Sequence, residues 1–184
     1  MRKWIILLRG INVSGQKKII MAELRSHVEK AGFNNVLTYI QSGNIILAAA
    51  RELSNEDVAD KIRQVILANY GYEVGVFALQ PQQLRTYAND NPFLKDLDHD
   101  QKKLYLTILS EKPSPENITR LRQFNTGDDK YIIADRVIYL NYVNGAGKSK
   151  LSNNLIEAKL RVGATSRNWN TTLKLLELSG DNQG

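Results

Sequence analysis

A chain of 184 residues with 42% hydrophobic content is long enough to bury a core, as one large domain or two small ones. It has no cysteine, which excludes disulfides, thiolate catalysis and cysteine-ligated metal. Its net charge of +6 favours polyanionic partners.

The first element, "MRKWIILLRGINV", places two basic residues before an apolar run, but Arg9 interrupts that run too early for a signal sequence or a membrane span. It reads as a buried strand, Trp4 to Arg9, of a soluble, cytoplasmic protein. A glycine-containing loop, "GINVSGQKK", leads into a helix over "MAELRSHVEKAGF", with Leu24, Val28 and Ala31 at helical spacing and Gly32 as its stop. "NVLTYIQSGNIILAA" reads as two strands around a turn at Ser42, Gly43 and Asn44. The next helix has Ser54 or Asn55 as its cap, Glu56 and Asp57 at its positive end, and Val58, Ile62, Val65 and Ile66 on its apolar face. "EVGVFAL" returns as a strand. The order βαββαβ is the split-βαβ or ferredoxin-like pattern.

A short helix over "QPQQLRTYAND" and the acidic "KDLDHDQKK" follow as connection and linker, 81–101, with domains expected at 1–80 and 102–184. The second half reads as the strand "KLYLTILS", a helix opened by Pro115, the strand pair "KYIIAD" and "RVIYLNYV", and then two helices over "KLSNNLIEAKL" and "NWNTTLKLLELSG". The last helix takes Asn168 or Thr165 as its cap and Leu173, Leu176 and Leu178 as core. It stands where the first half has a strand. The end, "SGDNQG", reads as frayed. The expected fold class is α+β, with two ferredoxin-like units in tandem and mainly antiparallel sheets.

"VNGAGKSKL" shares Gly147, Lys148 and Ser149 with the phosphate-cradling G-x-x-x-x-G-K-[ST] loop, but Tyr142 occupies the first glycine position and the preceding strand reads as half of a hairpin. A P-loop NTPase is therefore not expected. A glycine turn with Lys148, Ser149 and Lys150 ahead of a helix can still hold a phosphate, or can simply be a turn with solvated lysines. The loop after the first strand offers Arg9, Asn12 and Lys17 beside two glycines, a reasonable anion-binding set. In "TYIQSGN", Tyr39, Gln41, Ser42 and Asn44 suit a polar ligand, though turn chemistry alone accounts for Ser42 and Asn44. Arg167, Asn168, Trp169 and Asn170 suit stacking and recognition of a base or phosphate, unless Trp169 anchors the helix on the core. His27 and His99 have no acid–base partner at recognisable spacing, no metal-ligand set is present, and no cofactor is implied.

The combination "LLRGINV", "MAEL", "TYIQSGN", "NPF", "SKL" and "TSRNWNT" resembles the bacterial domain-of-unknown-function family numbered 1697. Its departures are Ser14, where that pattern commonly has glycine, and Ser166, where it commonly has alanine. The resemblance implies two ferredoxin-like units and matches Gly147, Ser149, Lys150 and Leu151 to a G…SKL element. It implies no activity. The expected function is a binding module for a nucleic acid or phosphorylated small molecule through a basic, motif-lined surface. The alternative is an enzyme with a polar pocket between the units. A third possibility is that the motif residues are buried, bonded to one another, and serve as joints of the fold. Monomer and homodimer both remain open.

Overall fold

A computed structural model of the chain describes residues 1–95 and 100–180. Residues 96–99 of the expected acidic linker, His99 among them, and residues 181–184 of the expected frayed end lie outside the described residues. Contacts divide the chain into Met1–Arg85 with Lys174–Gly184, and Thr86–Leu173. Among the described residues there are two four-stranded sheets and six α-helices, none of them long and apolar enough to cross a membrane.

The first unit runs β1 (Arg2–Arg9), α1 (Met21–Lys30), β2 (Asn34–Tyr39), β3 (Asn44–Ala49), α2 (Asn55–Tyr70) and β4 (Gly75–Leu79). The sheet order is β2-β3-β1-β4 with every pair antiparallel, which is the ferredoxin-like arrangement expected. Trp4, Ile6 and Leu8 share one core with Leu24 and Val28 of α1 and with Val58, Ile62 and Ile66 of α2. The alternate residues Ile5 and Leu7 are buried too, so β1 shows an unbroken apolar run instead of alternation. Ser54 caps α2: its hydroxyl accepts from the Asp57 N–H while the Asp57 carboxylate accepts from the Ser54 N–H at 2.8 Å. The expected helix over 21–33 ends earlier, and Ala31 is exposed beyond it.

The division between the units falls inside α3 (Pro81–Asn89) and α6 (Trp169–Leu178). The second unit contains β5 (Leu104–Leu109), α4 (Pro115–Arg122), β6 (Lys130–Ala134), β7 (Val137–Asn141), α5 (Asn153–Leu160) and β8 (Ala164–Asn168). Its sheet order, β6-β7-β5-β8, is again antiparallel throughout and topologically the same as the first. Leu109, Leu121, Ile138, Leu140, Ile156 and Leu160 belong to its core.

Two expectations need correction here. "ATSRN" is a strand, β8, so the second unit completes the βαββαβ pattern and Thr165 lies within the sheet instead of capping a helix. The strand carries no hydropathy signal because two of its three buried residues, Thr165 and Arg167, are polar, and their hydrogen bond to each other makes that burial tolerable. In α6 the buried positions are Trp169, Thr171, Thr172 and Leu175, whereas Leu173 is exposed and Leu176 and Leu178 are half-buried. Thr171 and Thr172 stand four and three residues before Leu175, so at 3.6 residues per turn they share its buried face, and Leu173 falls on the opposite side.

Gly43, with φ +81°, sits where an added Cβ would lie 2.7 Å from Leu8 Cβ and 2.9 Å from Ile11 Cδ1. Overpacking of about 1–3 kcal/mol adds to a left-handed backbone cost of roughly 1–2 kcal/mol. Gly43→Ala should therefore lower unfolding stability in urea by about 2–5 kcal/mol. Gly147→Ala, with open space around it and no positive φ, should stay within about 0.5 kcal/mol of wild type.

Candidate functional site

In the first unit, Leu7 pairs with Asn44, and Asn44 pairs with Tyr39. That register puts the loop after β1 and the β2–β3 turn at the same end of the sheet. Asn12, in left-handed backbone at φ +54°, joins them. Its Nδ2 donates to the carbonyls of Ile19 and Gln41, both at 2.9 Å, and its Oδ1 accepts from the Ile19 N–H at 2.8 Å. Asn44 is fully buried, and its Nδ2 donates to the Tyr39 carbonyl at 3.0 Å and to Ser42 Oγ at 3.1 Å. The Leu8 N–H donates to the Gly43 carbonyl at 2.8 Å. Asn12 thus ties the loop to the hairpin while Asn44 and Ser42 brace the hairpin turn itself, the arrangement of a fold-defining joint.

The cations of this unit divide by role. Lys3 Nζ donates to the Ser179 carbonyl at 2.8 Å, at the C-terminal end of α6, where a positive charge is favourable. Lys17 Nζ donates to the Glu73 carbonyl. Arg9 lays its stem close to Gly75, where an added Cβ would come within 3.1 Å of it. Lys18 and Gln41 are exposed, and Tyr39 is half-buried. Around the joint, Val13, Ile20 and Ile40 are also exposed.

In the second unit, Leu104 pairs with Asn141 and Tyr105 with Asn168, so the loop after β7 and the start of α6 share one end of the sheet. The Tyr142 hydroxyl donates to the Leu151 carbonyl at 2.9 Å, and Ser149 Oγ accepts from the Leu151 N–H at 2.9 Å. Val143 N–H donates to Asp129 Oδ1 at 3.0 Å, and Asn144 Nδ2 to Asp128 Oδ2 at 3.2 Å. Lys148 and Lys150 are exposed, with Lys148 closing a 3-10 turn over Ala146–Lys148. α5 begins only at Asn153, capped by Ser152. Gly147, Lys148 and Ser149 therefore lie ahead of the helix and not in its first turn, where a phosphate-cradling loop needs them.

Arg167 is buried, and its Nη1 donates to Thr165 Oγ1 and to the Ser166 carbonyl, both at 2.9 Å. Asn168 Oδ1 accepts from the Thr171 N–H at 2.8 Å, which makes Asn168 the cap of α6. Trp169 is 2% exposed, so its ring is part of the interior and is not presented for stacking, whereas Asn170 is exposed. Sequence reasoning missed a polar chain in this unit. Ser166 Oγ donates to Asn153 Oδ1 at 2.6 Å and shares a 2.6 Å hydrogen bond with the buried Thr107 Oγ1. The missed neighbours Asp128 and Asp129 were legible only as acidic composition.

His27 meets Tyr70 edge-on, with ring centroids 5.7 Å apart. Among the described residues no group of three or more His, Asp or Glu side chains could hold a metal ion. Burial pushes the Tyr142 phenol far above its ordinary range and raises Tyr139, whose hydroxyl donates to the Tyr87 carbonyl at 2.9 Å, from 10.0 to about 12.

A family model described as "Protein of unknown function (DUF1697)" matches residues 1–139, and the chain belongs to that family. The "SKL" and "TSRNWNT" elements lie beyond the matched span. The structure of the conserved bacterial protein SP0830 from Streptococcus pneumoniae is similar at a TM-score of 0.78 and 21% identity, covering 98% of this chain and 99% of that one. At that identity the likeness establishes the fold. No curated protein matches the chain.

Asn12→Ala strands the groups its side chain satisfied and leaves alanine in left-handed backbone, so it should cost about 2–4 kcal/mol in urea unfolding. Asn12→Gly should recover only the backbone part. For the phenols, a folded pKa raised above the unfolded value means stability fully present below pH 10 and lost as pH climbs through about 12. Thermal melts should fall across that window. Tyr139→Phe should fall less steeply, although it loses one hydrogen bond at neutral pH.

Proposed function

We propose that this member of a family of unknown function is a binding module for a phosphate-bearing ligand, nucleic acid or nucleotide-like, taken up at the end of the first sheet where β1 gives way to α1. The observation that carries this reading is a loop of one fixed shape with an outward cation. Asn12 locks residues 12–19 onto the hairpin, Lys17 is tied at Glu73, and Lys18 remains exposed beside Ser14 and Gln16. No acidic residue occurs before Glu23. The N-cap residue of α1, Ile20, provides no side-chain acceptor, so the positive end of the helix reinforces the local field. A loop fixed in advance loses little entropy when it binds.

The loop at Lys148 and Lys150 is a weaker candidate because Asp128 and Asp129 hold it and offset its charge. Burial of Trp169 and Arg167 also withdraws the stacking ring and the guanidinium expected to serve a nucleic acid there.

Fluorescence anisotropy with a labelled single-stranded oligonucleotide across a salt series tests the reading. Micromolar binding should weaken about tenfold in a Lys17→Ala/Lys18→Ala variant, and the logarithm of affinity should fall with the logarithm of salt at a slope of about −2, as for roughly three phosphate contacts. Saturable binding of a mononucleotide, weakened by the same variant and with a shallow salt dependence, would select the small-molecule form. No binding of either at low salt, or binding indifferent to the variant, would contradict the reading.

A further inference from the structure

A cleft of about 540 Å³ lies at the C-terminal ends of α4 and α5, lined by Arg120, Gln123, Phe124, Asn125, Lys159 and Arg161. That is within the usual size range of small-ligand sites. Three of these side chains are cations, two are amides, one is an aromatic ring, and no carboxylate lines the cleft. Lys159 Nζ stands 5.6 Å from the centre of the Phe124 ring. The nearby carboxylates are accounted for. Glu116, largely exposed, bonds Arg120 at 2.5 Å, and Glu157 Oε1 accepts from the Ala164 N–H at 3.0 Å.

Cations at helix C-termini offset the helix dipole, and that accounts for one charge per helix end. It does not account for the cleft, the half-buried ring or the two amides. Nor does it account for Arg161 at the C-cap of α5, in left-handed backbone at φ +56°. Glycine ordinarily takes such a position; arginine there accepts a backbone cost and sets a guanidinium on the cleft wall. The topologically equivalent groove of the first unit, between α1 and α2, is lined by His27, Lys30 and Lys61 and has no Phe, Tyr or Trp.

We infer that the second-unit cleft is a binding site for a small phosphate ester bearing a flat ring, of which a nucleoside monophosphate is the simplest. Lys159 and Arg161 supply charge-assisted hydrogen bonds to the phosphate, with Arg120, already paired with Glu116, adding only its remaining N–H groups; Phe124 supplies an apolar face for the ring, and Gln123 and Asn125 supply donors and acceptors for its edge. The site is separate from the loop after β1 and does not depend on it.

The test is an amide-resolved NMR titration of the full chain with adenosine 5′-monophosphate, inorganic phosphate and uncharged adenosine. The monophosphate should shift amides of residues 120–125 and 158–161 saturably, with Kd of about 1 mM or tighter. Inorganic phosphate should bind the same residues more weakly, and adenosine more weakly still. Lys159→Gln/Arg161→Gln should weaken both anions by about tenfold, and Phe124→Leu should weaken only the monophosphate, by roughly fivefold. The Lys17→Ala/Lys18→Ala protein should keep the cleft response, so failure at one site leaves the other standing. The wild-type spectra alone can overturn the inference: no saturable shifts in these two segments, or shifts equally strong with adenosine, contradict it. So does undiminished monophosphate affinity in a Lys159→Gln/Arg161→Gln protein that melts like wild type.

Discussion

The close approach of Gly43 to Leu8 and Ile11 governs the business end of the first unit. No side chain fits between the hairpin backbone and the end of β1, so the turn can sit directly on the strand, and the Leu8 N–H reaches the Gly43 carbonyl. That contact brings Gln41 within reach of Asn12, whose amide then fixes the loop from the other side. Left-handed backbone accumulates here, at Asn12, Ser14, Lys17 and Ile40 besides the glycines. A β-branched residue such as Ile40 adopts it only where the surroundings over-determine the conformation. Two polar motifs far apart in sequence are in this way one mechanical object. Their conspicuous side chains are occupied in building it, and the chemistry available to a ligand is what the joint holds outward.

The second unit repeats the topology and solves the same problem with different residues. Tyr142 and Ser149 hold the loop after β7, and Asn168 caps the helix after β8. Thr107, Ser166 and Asn153 form a polar chain that an apolar core alone would not specify. Ser166 departs from the alanine of the resembled pattern, and its hydroxyl is the middle member of that chain.

The first unit's elements were legible because each carries its own signal. The Ser54 cap, the apolar period of α2 and the turn before Asn44 all act locally. β8 was not legible, because a strand whose buried residues are Ala164, Thr165 and Arg167 looks like a loop until its hydrogen-bond partners are known. The candidate site was legible as a set of unusual residues and illegible as to role. Asn12 reads as a ligand-binding amide in sequence and proves to be a brace, because its three partners come from Ile19 and Gln41, and only the register of β1 on β3 brings the latter close. The cleft at Phe124, Lys159 and Arg161 left no sequence signal, since its two halves are separated by β6 and β7.

Hydrogen exchange on the Asn12→Ala protein tests the central claim, that the loop after β1 and the β2–β3 turn are one joint. If they are, amides of residues 8–24 and 39–44 lose protection together, by a common factor, while those of β5 and β7 keep theirs. If only residues 12–19 open and the hairpin exchanges as in wild type, the two motifs are independent loops and the joint does not exist.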